Sequence, residues 1–197
     1  AATECTPIAA STPAMPANTG AVGFPFYGMD VRVVDKNSVP LNSGKTGEIQ
    51  CRGPNIMLGY YRDPGATQAA INGDGWLSIG DLGFFDDDGQ LHLVGRLKDL
   101  INRSGFNVYP AEVEGVLNSY PGVLQSAVVG RKVPGNEEVI AFIEPTTGAQ
   151  IDVEDLADFV AERLAPYKKP KRIELLSRLP VGPTGKISKI ELRALAE

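Results

Sequence analysis

The sequence predicts a two-part α/β (α+β) chain, in which a β-rich, barrel-like part at residues 1–95 precedes a small mixed-sheet α+β domain at residues 96–197. Three observations lead to this prediction. The chain of 197 residues contains 22 Gly and 15 Pro, which indicates many ordered turns. Short alternating apolar segments dominate the first half, and strand and helix patterns alternate in the second half.

In the first half, turn residues separate short strand patterns. Strands are predicted at 31–34 and 47–51, and a hairpin over 83–94 turns at Asp88-Gly89. Between them, residues 64–71 fit a short helix with Asp63 as the N-cap and Pro64 in the first position. Short strands at this spacing favour a small sheet or part of a barrel.

In the second half, strands and helices follow one another. The residues predict a hairpin over 99–109 that turns at Ser104-Gly105, and a helix over 111–119 that opens with Pro110. Further strands are predicted at 123–133, 138–144 and 171–176, with helices starting at 152 and running over 188–196. In the helix that begins at Asp152, one face carries Val153, Leu156, Phe159, Val160 and Leu164.

Composition and charge exclude several classes of protein. No apolar run approaches the roughly 18 residues that span a bilayer. Two cysteines cannot form a disulfide framework, so we expect a reducing, cytoplasmic environment. The net charge of −5 and the few aromatic residues disfavour a nucleic-acid binder. The chain opens on Ala1 without Met or a signal-peptide pattern, and we expect a segment of the same protein to precede it.

The net charge is unevenly distributed. Residues 1–95 carry a net charge of −5 and residues 96–197 a net charge of zero, while residues 163–193 alone carry an excess of +7. Such a basic segment favours a small anionic partner, and a solvated basic surface is the alternative.

Several short segments carry side chains suited to nucleotide chemistry. Thr3-Glu4 offers a hydroxyl and a carboxylate, which can bind phosphate and Mg²⁺, although such a pair also serves as a helix N-cap. Asp81 follows Gly80 at the predicted edge of an element, where its carboxylate can accept two ribose hydroxyls or fill a turn. Each segment on its own is weak evidence.

Three cations complete this set. Arg96 can contact phosphate or ribose, and Lys98 lies where a hinge between the two parts is expected, although both fit a charged hairpin end. Lys186 follows a Gly/Pro loop, from which a long cation can reach developing negative charge or simply meet solvent. We predict a structural role for His92, the only histidine, and no metal-ligand spacing joins Cys5 and Cys51.

Read together, six ordered blocks resemble the adenylate-forming superfamily, which comprises acyl- and aryl-CoA ligases, peptide-synthetase adenylation domains and beetle luciferases. The resemblance covers essentially the whole chain. The blocks lie at residues 2–4, 47–67, 76–82, 95–114, 166–170 and 179–186. Two positions depart from the family pattern, since Ala1 replaces a Gly and Ile79 replaces a Thr.

The resemblance implies that residues 1–95 end a large AMP-binding domain and that residues 96–197 form a small mobile domain. It also implies an enzyme that joins a carboxylic acid to ATP with Mg²⁺ and then passes the acyl group to CoA. By matching position, Thr3 contacts the nucleotide phosphates, Glu4 holds Mg²⁺, and Asp81 binds the ribose with Arg96 beside it. Lys98 marks the hinge at 96–99, Lys186 assists adenylation, and the loop at Gly105 and Phe106 meets CoA.

Finer features resemble fatty acyl-CoA ligases, namely residues 105–110, residues 167–170 and Glu4-Cys5-Thr6-Pro7. An aryl-CoA ligase, a carrier-protein loading enzyme and a luciferase-like enzyme are alternatives within the superfamily. A non-catalytic nucleotide- or CoA-binding module is the alternative from another class. The resemblance assigns the phosphate loop and most of the acid pocket to upstream sequence, so this chain alone is expected to lack complete activity.

Overall fold

The computed structural model describes residues 1–12 and 20–197. The chain divides into two compact units, Ala1–Lys98 and Asp99–Glu197. The division falls at a short 3₁₀ turn, Leu97–Asp99.

The first unit is built on an antiparallel sheet. Its strands are β1 (Ala9–Ala10), β2 (Ala21–Pro25), β3 (Asp30–Val34), β4 (Gly47–Arg52), β5 (Leu77–Phe85) and β6 (Leu91–Arg96). Their order across the sheet is β1-β2-β6-β5-β4-β3. Helix α1 (Pro64–Ala70) lies between β4 and β5 in sequence, and the Asp63 carboxylate caps it by accepting from Ala66 N. The predicted strands, hairpin and helix of the first half are therefore confirmed.

Strand β5 is longer than the sequence pattern indicates. It begins at Leu77, and therefore Asp81 lies within a nine-residue strand rather than at the edge of an element, where we had placed it. Gly80 has a φ of 71°, and the pairing with β4 shifts register between Ser78 and Leu82. This irregularity interrupts the apolar alternation, which explains why the strand is hidden in the sequence.

The second unit has a mixed three-stranded sheet. It contains strands β7 (Ile101–Arg103), β8 (Phe106–Val108), β9 (Val123–Val133), β10 (Asn136–Pro145) and β11 (Arg172–Leu175). The helices are α2 (Pro110–Asn118), α3 (Val153–Arg163) and α4 (Lys189–Ala196). Strand β10 pairs antiparallel with β9 and parallel with β11, while β7 and β8 form a separate hairpin.

Helices cover both faces of this sheet, because β10 buries alternate residues in opposite directions. Val139, Ala141 and Ile143 join the cluster with residues of α2 and α3. Ile140 and Phe142 join the cluster with Leu192 and Ala196 of α4, which is why β10 has no polar face along this stretch.

Candidate functional site

Thr3 and Glu4 form the tip of a tight turn at the start of the first unit. Ala2 and Cys5 close the turn through two backbone hydrogen bonds of 3.0 and 3.2 Å. Cys5 is buried in the apolar cluster while Thr3 is exposed, so the core holds the turn from below. No helix begins within residues 1–12, which removes the N-cap alternative for Thr3-Glu4.

A tyrosine from a distant part of the first unit fixes the Glu4 carboxylate. Tyr60 Oη donates to Glu4 Oε1 at 2.9 Å, and Met57 N donates to the Glu4 carbonyl at 2.9 Å. The bonded carboxylate raises the pKa of Tyr60, so the phenol stays a donor at neutral pH. The backbone N–H of Tyr60 in turn donates to Thr67 Oγ1 of α1 at 2.9 Å. Tyr60 lies in the matched block at 47–67, but no local sequence signal assigns it a role.

Asp81 and Arg96 face each other across strands β5 and β6. Arg96 Nε lies 2.8 Å from Asp81 Oδ1, and the two side chains are 55% and 17% exposed. Burial raises the pKa of Asp81, and the positive charge of Arg96 opposes that rise. The negative charge of Glu4 adds a smaller contribution to the rise in the pKa of Asp81.

Two further predicted positions lie in or next to these strands. Lys98 is the last residue of the first unit and belongs to the 3₁₀ turn after β6. Ile79, which replaces the family threonine, packs against the apolar clusters of the first unit. The first unit therefore retains the carboxylates of Glu4 and Asp81, but at position 79 it has an aliphatic side chain in place of the family's hydroxyl.

In the second unit, Lys186 ends a tight turn before α4. Gly182 N donates to the Lys186 carbonyl at 2.8 Å, and Gly185 N donates to the Gly182 carbonyl at 2.9 Å. Val181 and Ile187 pair as an isolated bridge that closes this turn. The Lys186 side chain is exposed and has no ion pair among residues 1–12 and 20–197.

Gly105 and Phe106 lie at the tip of the β7–β8 hairpin. Ser104 and Gly105 both have left-handed backbone angles, with φ of 54° and 85°. Phe106 is 56% exposed, and its ring stacks on Tyr167 at a centroid distance of 4.7 Å. This tip and the Lys186 turn belong to the second unit, while Thr3, Glu4, Asp81 and Arg96 belong to the first.

His92, Cys5 and Cys51 each contact other side chains of the first unit. His92 Nε2 lies 2.8 Å from Asp86 Oδ2, and the ring stacks on Phe84 at 4.7 Å. Cys5 Sγ and Cys51 Sγ are 3.2 Å apart, and burial raises the pKa of both thiols. The described part of the chain holds no group of three His, Cys, Asp or Glu side chains suited to a metal ion. It also has no helix long and apolar enough to cross a membrane.

Comparison with known proteins places these features in a family. The family model for the AMP-binding enzyme matches residues 1–61, and the model for the AMP-binding enzyme C-terminal domain matches residues 112–186. These matches define the class of protein as an AMP-binding enzyme. The chain belongs to the adenylate-forming superfamily.

Curated relatives include CoA ligases for different acids. A feruloyl-CoA synthase of Amycolatopsis sp is 45% identical over 175 residues, which are 88% of this chain and 35% of the relative. A long-chain-fatty-acid–CoA ligase of Yersinia pestis is 39% identical over 192 residues, 97% of this chain and 34% of the relative. The chain thus spans about a third of the length of these relatives.

Solved structures share the fold. The amide bond synthetase McbA from Marinactinospora thermotolerans superposes with a TM-score of 0.84 at 39% identity, over 90% of this chain and 37% of that one. ATP-bound MatB from Rhodopseudomonas palustris superposes with a TM-score of 0.84 at 38% identity, over 89% of this chain and 35% of that one. The predicted α+β fold class is confirmed by these neighbours.

Proposed function

We propose that the protein carrying this chain is an AMP-forming acid–thiol ligase. It converts a carboxylic acid, ATP and CoA into acyl-CoA, AMP and pyrophosphate through an acyl-adenylate. The observations that carry the proposal are the turn at Thr3-Glu4, which the buried Cys5 anchors, and the pairing of Asp81 with Arg96 in the same unit. Relatives named as CoA ligases support it at 45% and 39% identity.

Each side chain has a role in the first half-reaction, in which a carboxylate oxygen attacks the α-phosphorus and pyrophosphate leaves. Thr3 contacts the phosphates, and Asp81 accepts the ribose hydroxyls with Arg96 beside it. The Glu4 carboxylate is an oxygen donor of the kind Mg²⁺ prefers, and it would hold the ion. The ion, when bound, neutralises charge on the phosphates. A relative, the MenE synthetase of Bacillus subtilis, has a structure in complex with ATP and a magnesium ion.

The exposed Lys186 ammonium supplies positive charge to the carboxylate and α-phosphoryl oxygens as negative charge develops there. In the second half-reaction, the CoA thiol attacks the acyl carbon and AMP leaves. This attack follows a rotation about Lys98, within the hinge at 96–99, that exchanges Lys186 for the hairpin tip at Gly105 and Phe106, which meets CoA.

We propose that the acid substrate is a fatty acid, because residues 105–110 and 167–170 resemble those of fatty acyl-CoA ligases. The similarity to a feruloyl-CoA synthase favours an aryl acid as the second candidate. Product analysis of the intact protein with CoA and either a fatty or a hydroxycinnamic acid distinguishes the two.

The test of the proposal is carboxylate-dependent exchange of pyrophosphate into ATP by the intact protein that carries this chain. Lys186→Ala should lower this exchange about 100-fold, the scale for loss of one preorganised electrostatic donor. Lys132→Ala is the matched control, because it removes one exposed lysine of the same unit. Exchange near the wild-type rate in Lys186→Ala would show that the role assigned to Lys186 is wrong.

A further inference from the structure

The β7–β8 hairpin tip is held in an unfavourable backbone conformation. Ser104 has a φ of 54°, a left-handed value that is unfavourable for a residue with a side chain. Gly105, with a φ of 85°, takes the next position without that cost. The tip is exposed at Ser104, Gly105 and Phe106, so burial of the tip does not explain its conformation.

On one side, the first two residues of β10 hold the tip through their side chains. Asn136 Oδ1 accepts from Ser104 N at 2.6 Å, and Asn136 Nδ2 donates to Ser104 Oγ at 3.3 Å. Glu137 Oε2 accepts from Asn102 N at 2.6 Å. These bonds join segments more than 30 residues apart and satisfy backbone donors that the short hairpin leaves free.

On the other side, the 3₁₀ turn Pro166–Lys168 holds the tip. Arg103 Nη1 donates to the carbonyls of Lys169 at 2.6 Å and of Tyr167 at 3.2 Å. The Tyr167 ring stacks on Phe106 with an angle of 24° between the ring planes. Lys168 Nζ lies 2.5 Å from Glu112 Oε1, and this pair ties the 3₁₀ turn to α2.

We propose that Arg103, Asn136 and Tyr167 are positioning residues for the thiol-transfer step. They fix the backbone at 104–106 and the ring of Phe106 before the acceptor arrives. An exposed loop braced from two sides is preorganised, and preorganisation matters for catalysis because a displacement near 1 Å can cost about 100-fold in rate. This inference rests on the function proposed above.

The experiment separates the two half-reactions in the intact protein. Adenylation is followed by carboxylate-dependent pyrophosphate exchange, and transfer is followed in single turnovers from preformed acyl-adenylate to CoA. Asn136→Ala and Tyr167→Leu should each slow transfer about 10-fold while exchange stays within about 2-fold of wild type. Tyr167→Phe keeps the stacked ring and should restore transfer to near the wild-type rate.

Tyr120→Leu is the matched control. Tyr120 packs edge-on against Phe159 at 5.2 Å in the same unit, so this variant removes an aromatic pair that does not include Phe106. It should leave the ratio of transfer to exchange unchanged. A similar change of that ratio in Tyr120→Leu would overturn the inference.

A structural measurement accompanies the kinetics. Asn136→Ala should speed amide hydrogen exchange at Ser104 about 5- to 10-fold, because Ser104 N loses its acceptor. Equal slowing of both half-reactions, or an unchanged rate of amide hydrogen exchange at Ser104, overturns this inference and leaves the proposed function standing. Absence of carboxylate-dependent exchange in the wild-type protein instead overturns the proposed function, and the inference with it.

Discussion

Tyr60 donates its hydroxyl hydrogen to the Glu4 carboxylate at 2.9 Å, across 56 residues of sequence. Glu4 sits at the tip of a turn with one oxygen engaged, so the hydrogen bond restricts rotation of the carboxylate. Tyr60 is itself fixed, because its backbone N–H donates to Thr67 Oγ1, and Thr67 Oγ1 donates to the Asp63 carbonyl at the start of α1. The start of α1 therefore orients an acid that we propose holds Mg²⁺.

Tyr60→Phe should raise the Mg²⁺ concentration for half-maximal pyrophosphate exchange about 3- to 10-fold. The variant keeps the ring and loses one hydrogen bond to a carboxylate, which at a partly exposed position has a net value of about 0.5–1.5 kcal/mol. The measurement is a Mg²⁺ titration of carboxylate-dependent exchange by the intact protein.

Tyr61→Phe is the matched control for that titration. Tyr61 is the next residue and is 84% exposed. Its substitution should leave the Mg²⁺ dependence of pyrophosphate exchange unchanged. If Tyr60→Phe lowers the maximal rate without moving the Mg²⁺ midpoint, Tyr60 does not orient the metal-binding acid.

Asp81→Asn should weaken ATP use without weakening the fold. The ribose hydroxyls lose a charged acceptor, which is a loss of about 1.5–3 kcal/mol, so the KM for ATP should rise at least 10-fold. Asp30→Asn is the matched control, since Asp30 pairs with Arg52 across β3 and β4 at 2.9 Å on an exposed surface.

The stability of the same variant provides an independent check. Burial raises the pKa of Asp81 in the folded state, so its contribution to stability is present at low pH and decreases as pH rises from about 3.8 through the raised pKa. Asn does not ionise, so the variant does not lose this stability as the pH rises. Thermal unfolding at pH 7, followed by the fluorescence of Trp76 beside β5, should therefore show an unchanged or slightly raised Tm. A large drop in Tm would mean that Asp81 is chiefly a structural partner of Arg96.

Elements with local signals were predicted well from the sequence. Asp63 caps α1 as predicted, and Asp152 and Ser188, where the sequence placed the starts of two helices, are the N-caps of α3 and α4. Their carboxylate or hydroxyl oxygens accept backbone N–H groups within the next three residues, so the information lies within a few positions. In α3, Leu156 and Val160 of the predicted apolar face are buried, while Val153 at the first helical position is 36% exposed. The first residue of a helix lies at its end, where the apolar face need not be covered.

Features that depend on distant partners were not visible in the sequence. The irregularity at Gly80 hid the strand that holds Asp81, because a register shift breaks the alternation on which strand prediction depends. The contact of Arg103 with Lys169 joins residues 66 positions apart, and neither neighbourhood signals the other. The resemblance supplied the order of the blocks and their proposed roles. The structure added the contacts that hold the site residues in place, from Tyr60 to Glu4, from Asn136 to Ser104 and from Tyr167 to Phe106.

Glu144 anchors the segment that leads to Lys186, and its ionisation should govern the acid stability of the second unit. It is 9% exposed, and its Oε2 accepts from Leu179 N at 2.7 Å and from Gln125 Nε2 at 2.8 Å. Those hydrogen bonds lower the pKa of Glu144 below its usual 4.5, and the bond from Leu179 N has the larger effect. The stabilisation is therefore fully present above about pH 4.5 and is lost as pH falls through the lowered pKa.

Glu144→Gln should lower the free energy of unfolding of the second unit by about 1–2 kcal/mol at pH 7, and by less at pH 4. The amide oxygen still accepts one hydrogen bond but carries no charge, so only the wild-type protein loses this stabilisation in acid. Urea titrations followed by far-ultraviolet circular dichroism measure the difference at both pH values, and the fluorescence of Trp76 reports the first unit as an internal reference. Glu174→Gln, at a partly exposed acid paired with Arg172 at 2.7 Å, should change stability by less than about 1 kcal/mol. An equal loss at pH 7 and pH 4 in Glu144→Gln would mean that packing of the side chain, rather than its charge, holds Leu179 in place.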